Sequence, residues 1–149
     1  MNWKEKALKI LEDSLNPIAT ELNELDWKSG LSCKTERLAQ HICAFSNMKG
    51  GGLLVFGVND DASLFSVTKE ESAEIIKTLG NIAKNNLSSS ITIEHWTTEY
   101  KGHALLFIHI PEQVDKPTYL RGKEIWDSYT RSAGQTVKMS RSQIKSLIA

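Results

Sequence analysis

Apolar residues recur at helical spacing at Leu8, Leu11 and Leu15 among Lys and Glu, and Pro17 stops the pattern, predicting an amphipathic helix that ends near residue 15. Leu25-Asp26-Trp27-Lys28 alternates as a short strand does and turns at Ser29-Gly30. Leu38, Ile42 and Phe45 share one helical face, so a second helix is expected from about Thr35 to Asn47, with His41 at the border of that face. The apolar run Leu53 to Val58 reads as a buried strand between Gly50-Gly51-Gly52 and Asn59-Asp60-Asp61. Thr68 with Glu71 three residues on is a capping box, and Ile75, Leu79 and Ile82 carry the third helix to about Leu87.

The period then changes from helix to strand. Ile91, Ile93 and His95 alternate with polar neighbours, residues 100–103 turn, and Ala104 to Ile110 forms the second arm of a hairpin. Past Pro111 and Pro117, Tyr119-Leu120 turns at Arg121-Gly122-Lys123 into Ile125-Trp126 and on to Tyr129, extending the run of strands. Ser140 and Gln143 form another capping box, opening a last helix with Ile144 and Leu147 facing in. The expected class is α+β: one domain over 1–149, a mixed or antiparallel sheet with flanking helices, its N-terminal helix within 1–17.

Composition adds limits rather than a function. With 149 residues, 40% hydrophobic and 24% charged, the chain can bury a core without disulfides or a structural metal. Cys33 and Cys43 fit neither a zinc motif nor a disulfide framework and read as small packing residues. No stretch approaches the roughly 20 apolar residues of a membrane helix, and the N-terminus lacks a secretory pattern, so a cytoplasmic address is expected. The 18 basic and 18 acidic side chains are unevenly spread. Residues 1–75 carry 8 basic and 12 acidic ones, residues 76–149 carry 10 and 6, which points weakly to an anionic partner on one face.

Most candidate chemistry has an ordinary structural reading beside it. The three glycines precede a strand, the wrong order for a phosphate-binding loop, so no nucleotide site is expected. The four histidines, His41, His95, His103 and His109, share no ligand spacing. Glu21, Asp26 and Asp60-Asp61 lie near strand ends, where carboxylates suit Mg²⁺ or Mn²⁺, though a solvated helix end and a turn explain them better. Tyr119, Arg121, Lys123, Trp126, Tyr129 and Arg131 interleave aromatic with basic residues, which suits base stacking and phosphate contact, or equally a strand with one buried face.

Several segments together resemble the Schlafen AlbA-2 domain family. They are Glu21 with Leu25-Asp26-Trp27-Lys28, then Ala44-Phe45-Ser46-Asn47, Gly51-Gly52 and Leu54 to Asp60, and further on Leu106 to Pro111, Lys116-Pro117 and Tyr129 to Thr136. The resemblance covers about residues 18–148. It implies an α+β fold and a nucleic-acid-binding role. By likeness to Schlafen proteins with three carboxylates, it also implies metal-dependent endoribonuclease activity on structured RNA such as tRNA. Carried over by position, the catalytic and metal-binding acids are Glu21, Asp26 and Asp60, with Mg²⁺ or Mn²⁺ as cofactor and Lys28 and Arg131 positioning the backbone.

Two residues depart from the pattern: Asp26 stands for the usual Glu, and Asn59 for the first Asp of a pair. The rival readings are a non-catalytic DNA- or RNA-binding module that holds nucleic acid through Arg121, Lys123, Arg131, Lys138 and Arg141, and a protein-interaction subunit. Animal Schlafen cores contain two related lobes, so a homodimer is expected of a one-lobed chain.

Overall fold

The computed structural model describes residues 2–16 and 22–148. Helix α1 runs from Trp3 to Leu15, with the Asn2 side chain accepting from the Glu5 N–H at its start. Strand β1 (Leu25–Lys28), helix α2 (Thr35–Ser46) and strand β2 (Gly52–Phe56) follow, with β1 and β2 parallel. Helix α3 spans Lys69–Asn85 and opens with the expected Thr68–Glu71 capping box, both bonds being formed. The hairpin of β3 (Glu94–Tyr100) and β4 (His103–Ile110) completes a four-stranded mixed sheet in the order β1-β2-β4-β3. A second hairpin, β5 (Tyr129–Ser132) and β6 (Gln135–Lys138), precedes α4 (Arg141–Ile148).

Alternation along the strands divides the core between the two faces of this sheet. Leu25, Trp27, Leu53, Val55, Leu105 and Phe107 pack with Ala7 and Leu11 of α1. Leu54, Phe56, Leu106, Ile108 and Ile110 pack on the other face with α2 and α3 through Ile42, Phe45, Leu79 and Ile82. The second cluster needs close approach at the turn between α2 and β2. A Cβ on Gly52 would lie 1.8 Å from the Phe45 ring, and one on Gly51, at φ +74°, would lie 2.1 Å from the Ile110 carbonyl. Gly51 and Gly52 are thus packing devices, while Gly50, with open space around a Cβ, serves the turn through its φ of +80°.

The Asn47 side chain ties the same corner to the C-terminal third. It accepts from the Thr118 N–H (2.7 Å) and donates to the carbonyls of Thr118 and Tyr129 (3.0 and 3.1 Å).

Four expectations change. Residues 121–127 form turns, leaving Tyr119 and Leu120 with single bridges to Ser128 and Leu87, so the aromatic and basic residues do not interleave on strands before β5. Ile91 and Ile93 precede β3, because pairing with β4 starts at Glu94. Leu147 is 39% exposed, since only Ile144 of α4 reaches the core. Cys33 is exposed, while burial of Cys43 pushes its thiol up to about 12. Among the described residues no helix is long and apolar enough to cross a membrane.

Candidate nucleic-acid interface

On β1, Leu25 and Trp27 point to the α1 side, so Asp26 and Lys28 point to the α2 side, where β1 ends the sheet. Asp26 is 6% exposed there, and its charge is compensated locally: Lys28 Nζ lies 3.1 Å and Arg131 Nη1 4.0 Å from Oδ2. His41 of α2 faces the same group. Its Nδ1 lies 2.7 Å from Thr136 Oγ1 and its Nε2 3.4 Å from Lys28 Nζ. An ammonium only donates, so Nε2 accepts and the ring proton sits on Nδ1, directed at the Thr136 hydroxyl. Burial first, then Lys28, pushes the His41 imidazole down to about 3, against a smaller upward pull from Asp26.

Arg131 comes from β5, and the β5–β6 hairpin carries it under β1. Nε donates to the Asn23 carbonyl (2.9 Å), Nη2 to those of Leu22 and Leu25 (both 3.2 Å), and Nη1 to Thr136 Oγ1 (3.1 Å). Its guanidinium also covers the Phe45 ring at 4.8 Å. The structure therefore corrects the expectation of Arg131 as an outward phosphate contact: it is 6% exposed and holds the site's floor together.

Above this floor lies an open cleft of about 350 Å³, lined by Asp26, Lys28, Ser32, Arg37, His41, Asp60, Arg131, Gln135 and Thr136 among others. Asp60 is exposed at its rim, in the turn that follows β2. Asp26, Lys28 and Asp60 are thus brought to one cleft, while Glu21 lies outside the described residues. Among the described residues, no three His, Cys, Asp or Glu side chains group closely enough to hold a metal ion. Asp26 also already faces two cations, which repel a divalent ion at the same oxygen. The described residues do not by themselves fit a metal centre.

The remaining candidate basic residues divide into two groups. Arg121 and Lys123 border a shallow hollow of about 280 Å³ with Thr35, Glu36 and Ala39 of α2. They therefore flank the start of α2 opposite the cleft, and Arg121 is fixed by donating to the Leu87 carbonyl at 3.1 Å. Lys138 pairs with Asp127 at 3.2 Å, holding that carboxyl below its usual range, and Arg141 lies 4.6 Å over Trp126. A larger hollow of about 400 Å³, at the start of β1 and β2, is lined by Trp3, Ile10, Met48, the three glycines and His109 and contains none of the candidate acids.

Sequence reasoning missed His41, Arg37 and Thr136. The signal for His41 was present: it falls between Leu38 and Phe45 on the buried side of α2, where a polar ring needs a partner. Thr136 lies on a strand that the hydrophobic pattern alone did not reveal.

Residues 21–140 match the family model described as Schlafen, AlbA_2. No curated protein matches the chain. Among solved structures, the chain is similar to the crystal structure of the DIP2311 protein from Corynebacterium diphtheriae, at 14% identity and a TM-score of 0.59. That alignment covers 97% of this chain and 28% of the other, so the chain spans little more than a quarter of that protein. It is also similar to the solution structure of the N-terminal domain of a Nitrosomonas europaea protein described as related to the ATP-dependent DNA helicase RecG, at 21% identity and a TM-score of 0.56, covering 87% and 90% of the two chains. Both likenesses establish the α+β fold.

Proposed function

The chain belongs to the Schlafen AlbA_2 family, and from that premise we propose that it is a nucleic-acid-binding domain that grips the phosphate backbone around the start of α2. The observation that carries this reading is the placement of Lys28 and Arg37 in the cleft on one side of that helix start, with Arg121 and Lys123 on the other side. Cations on either side of a helix start can meet successive phosphates of a backbone that crosses it. The Asp26, Lys28, His41 and Arg131 network fixes the floor, so the exposed cations are presented from a rigid base. The RecG-related neighbour is consistent with such a role.

The test is fluorescence anisotropy with total tRNA and with a DNA duplex across a salt series. Log affinity should fall linearly with log salt, by a slope of roughly 0.7 to 0.9 per phosphate neutralised. Arg37→Glu with Lys123→Glu should abolish measurable binding and lower the melting temperature by only a few degrees, through loss of the Arg37 donation to the Thr136 carbonyl (3.4 Å). Failure to bind either polymer at low salt overturns the reading and favours a protein-interaction subunit.

A second reading, metal-dependent endoribonuclease action on tRNA, would need a further acid beside Asp26 and Asp60, which line one cleft without fitting a metal centre by themselves. Its test adds Mn²⁺, Mg²⁺ or EDTA and reads cleavage by gel. Metal-dependent cutting that disappears in Asp60→Asn supports catalysis, and binding without cutting leaves a module that only holds nucleic acid. Asp60 is the better residue to change because it is exposed, whereas altering buried Asp26 also removes the counter-charge of Lys28 and Arg131.

A further inference from the structure

Strand β3 ends the sheet, and its seven residues pair inward only, one for one with β4, from Glu94 opposite His109 to Tyr100 opposite His103, without a bulge. Natural edge strands are usually blunted by charged side chains, Lys above all, by Pro, a bulge or extreme shortness. Glu94-His95-Trp96-Thr97-Thr98-Glu99-Tyr100 has no Lys, Pro or bulge, and of its two charges Glu94 is already engaged by Trp3 and His109. Among the described residues, no strand pairs with its outer side.

We propose that this edge pairs with the β3 edge of a second copy of the chain, antiparallel about a two-fold axis at Thr97, giving one continuous eight-stranded sheet. The side chains select this partner and this register. In an antiparallel pair, directly opposed residues point to the same face, so the axis can pass only through a residue, not between two. With the axis at Thr97 all seven residues pair, and His95 meets the partner's Glu99 twice by symmetry, an opposed donor and acceptor on the exposed face.

Moving the axis to Trp96 sets Glu99 against Ile93 instead. Moving it to Thr98 sets His95 against Lys101. On the opposite, α1 side, the axis at Thr97 places Trp96 over the partner's Thr98, with the two Trp96 rings as diagonal neighbours, within reach for aromatic side chains. Trp96 is already braced for this by Phe107 (5.8 Å) and Trp3 (6.4 Å).

The experiment is sedimentation velocity with light scattering at about 50 µM, well above a micromolar Kd, on the chain and three variants. His95→Glu sets two glutamates against two and should weaken association by roughly tenfold or more. The exchange His95→Glu with Glu99→His should restore it, which a mere folding defect would not do. Thr97→Cys in a Cys33→Ser background should be captured as a covalent dimer by a short bis-maleimide, because the two β-carbons at the axis lie about 5 Å apart, wider than the roughly 3.5–4.5 Å of an unstrained disulfide. A chain that stays monomeric and forms no Thr97→Cys cross-link overturns the proposal. So does a dimer that is indifferent to His95→Glu.

Discussion

The two outer strands of the sheet, β1 and β3, are built on opposite principles. β1 is four residues long with three of them buried, and the backbone around it is capped by Arg131, which takes the carbonyls of Leu22, Asn23 and Leu25. β3 is seven residues long, lies on the surface for most of its length and carries no such cap. At β1 the chain buries charge: Asp26 with Lys28 and Arg131, beside a neutral His41. A buried ionic network seldom adds stability over apolar packing of the same volume, but it fixes geometry, because breaking one member leaves another uncompensated. One edge is closed to make a rigid cleft floor; the other is left to be completed from outside.

Removing the cap should therefore do the greatest damage. Arg131→Leu keeps apolar contact with Phe45 but strips the donors from three carbonyls and a counter-charge from Asp26. The expected cost is about 3–5 kcal/mol, read as a lower midpoint in urea unfolding. A loss below about 1 kcal/mol would show that the β1 edge is held by packing alone, and that the two edges are not different in kind.

Acid should act on the same edge and spare the other. The His41 imidazole is ordinarily near 6.5 and is pushed down to about 3 in the folded chain. Between these values the unfolded chain binds a proton that the folded chain refuses, so stability is fully present above pH 6.5 and is lost as pH falls. By pH 4.5 the loss from this one group is about 2–3 kcal/mol. His41→Gln should flatten that slope between pH 6.5 and 4.5 in thermal melts. Asp61, Glu112 and Asp127, all held below their ordinary carboxyl values, contribute stability that is lost mainly below about pH 4.5, so the two windows separate. An unchanged slope in the variant would place the acid sensitivity elsewhere.

The contrast between the edges also explains what was legible in the sequence. Elements with a local signal were readable: α1 from its leucine spacing, α3 from Thr68 and Glu71, β2 from an apolar run between glycines. Asp26 and Lys28 were readable as a pair because a two-residue spacing on a strand sets them on one face. Their partners were not, because His41 lies 15 residues beyond Asp26 and Arg131 lies 105 beyond it. Only tertiary folding puts a buried acid beneath them. Arg131, in a basic C-terminal third, looked like a surface cation for the same reason: composition reports charge but not which carbonyls claim it. β5 and β6 are four residues each, too short for alternation to stand out from the turns around them.

The smallest expected effect on stability lies at β3, and it gives the sharpest test of the contrast. Thr97 is exposed, its neighbours on the same face are His95 and Glu99, and its side chain faces solvent in the single chain. Thr97→Lys should leave the unfolding free energy of the monomer within about 0.5 kcal/mol, as surface substitutions usually do. The same change sets two ammonium groups at the two-fold axis, each directly opposite its copy, and so should abolish association in sedimentation velocity. The two readouts decouple at β3, where at β1 they cannot. A Thr97→Lys chain that unfolds more than about 1 kcal/mol more easily while monomeric would mean that the outer side of β3 already supports the single-chain fold, and the edge would no longer count as open.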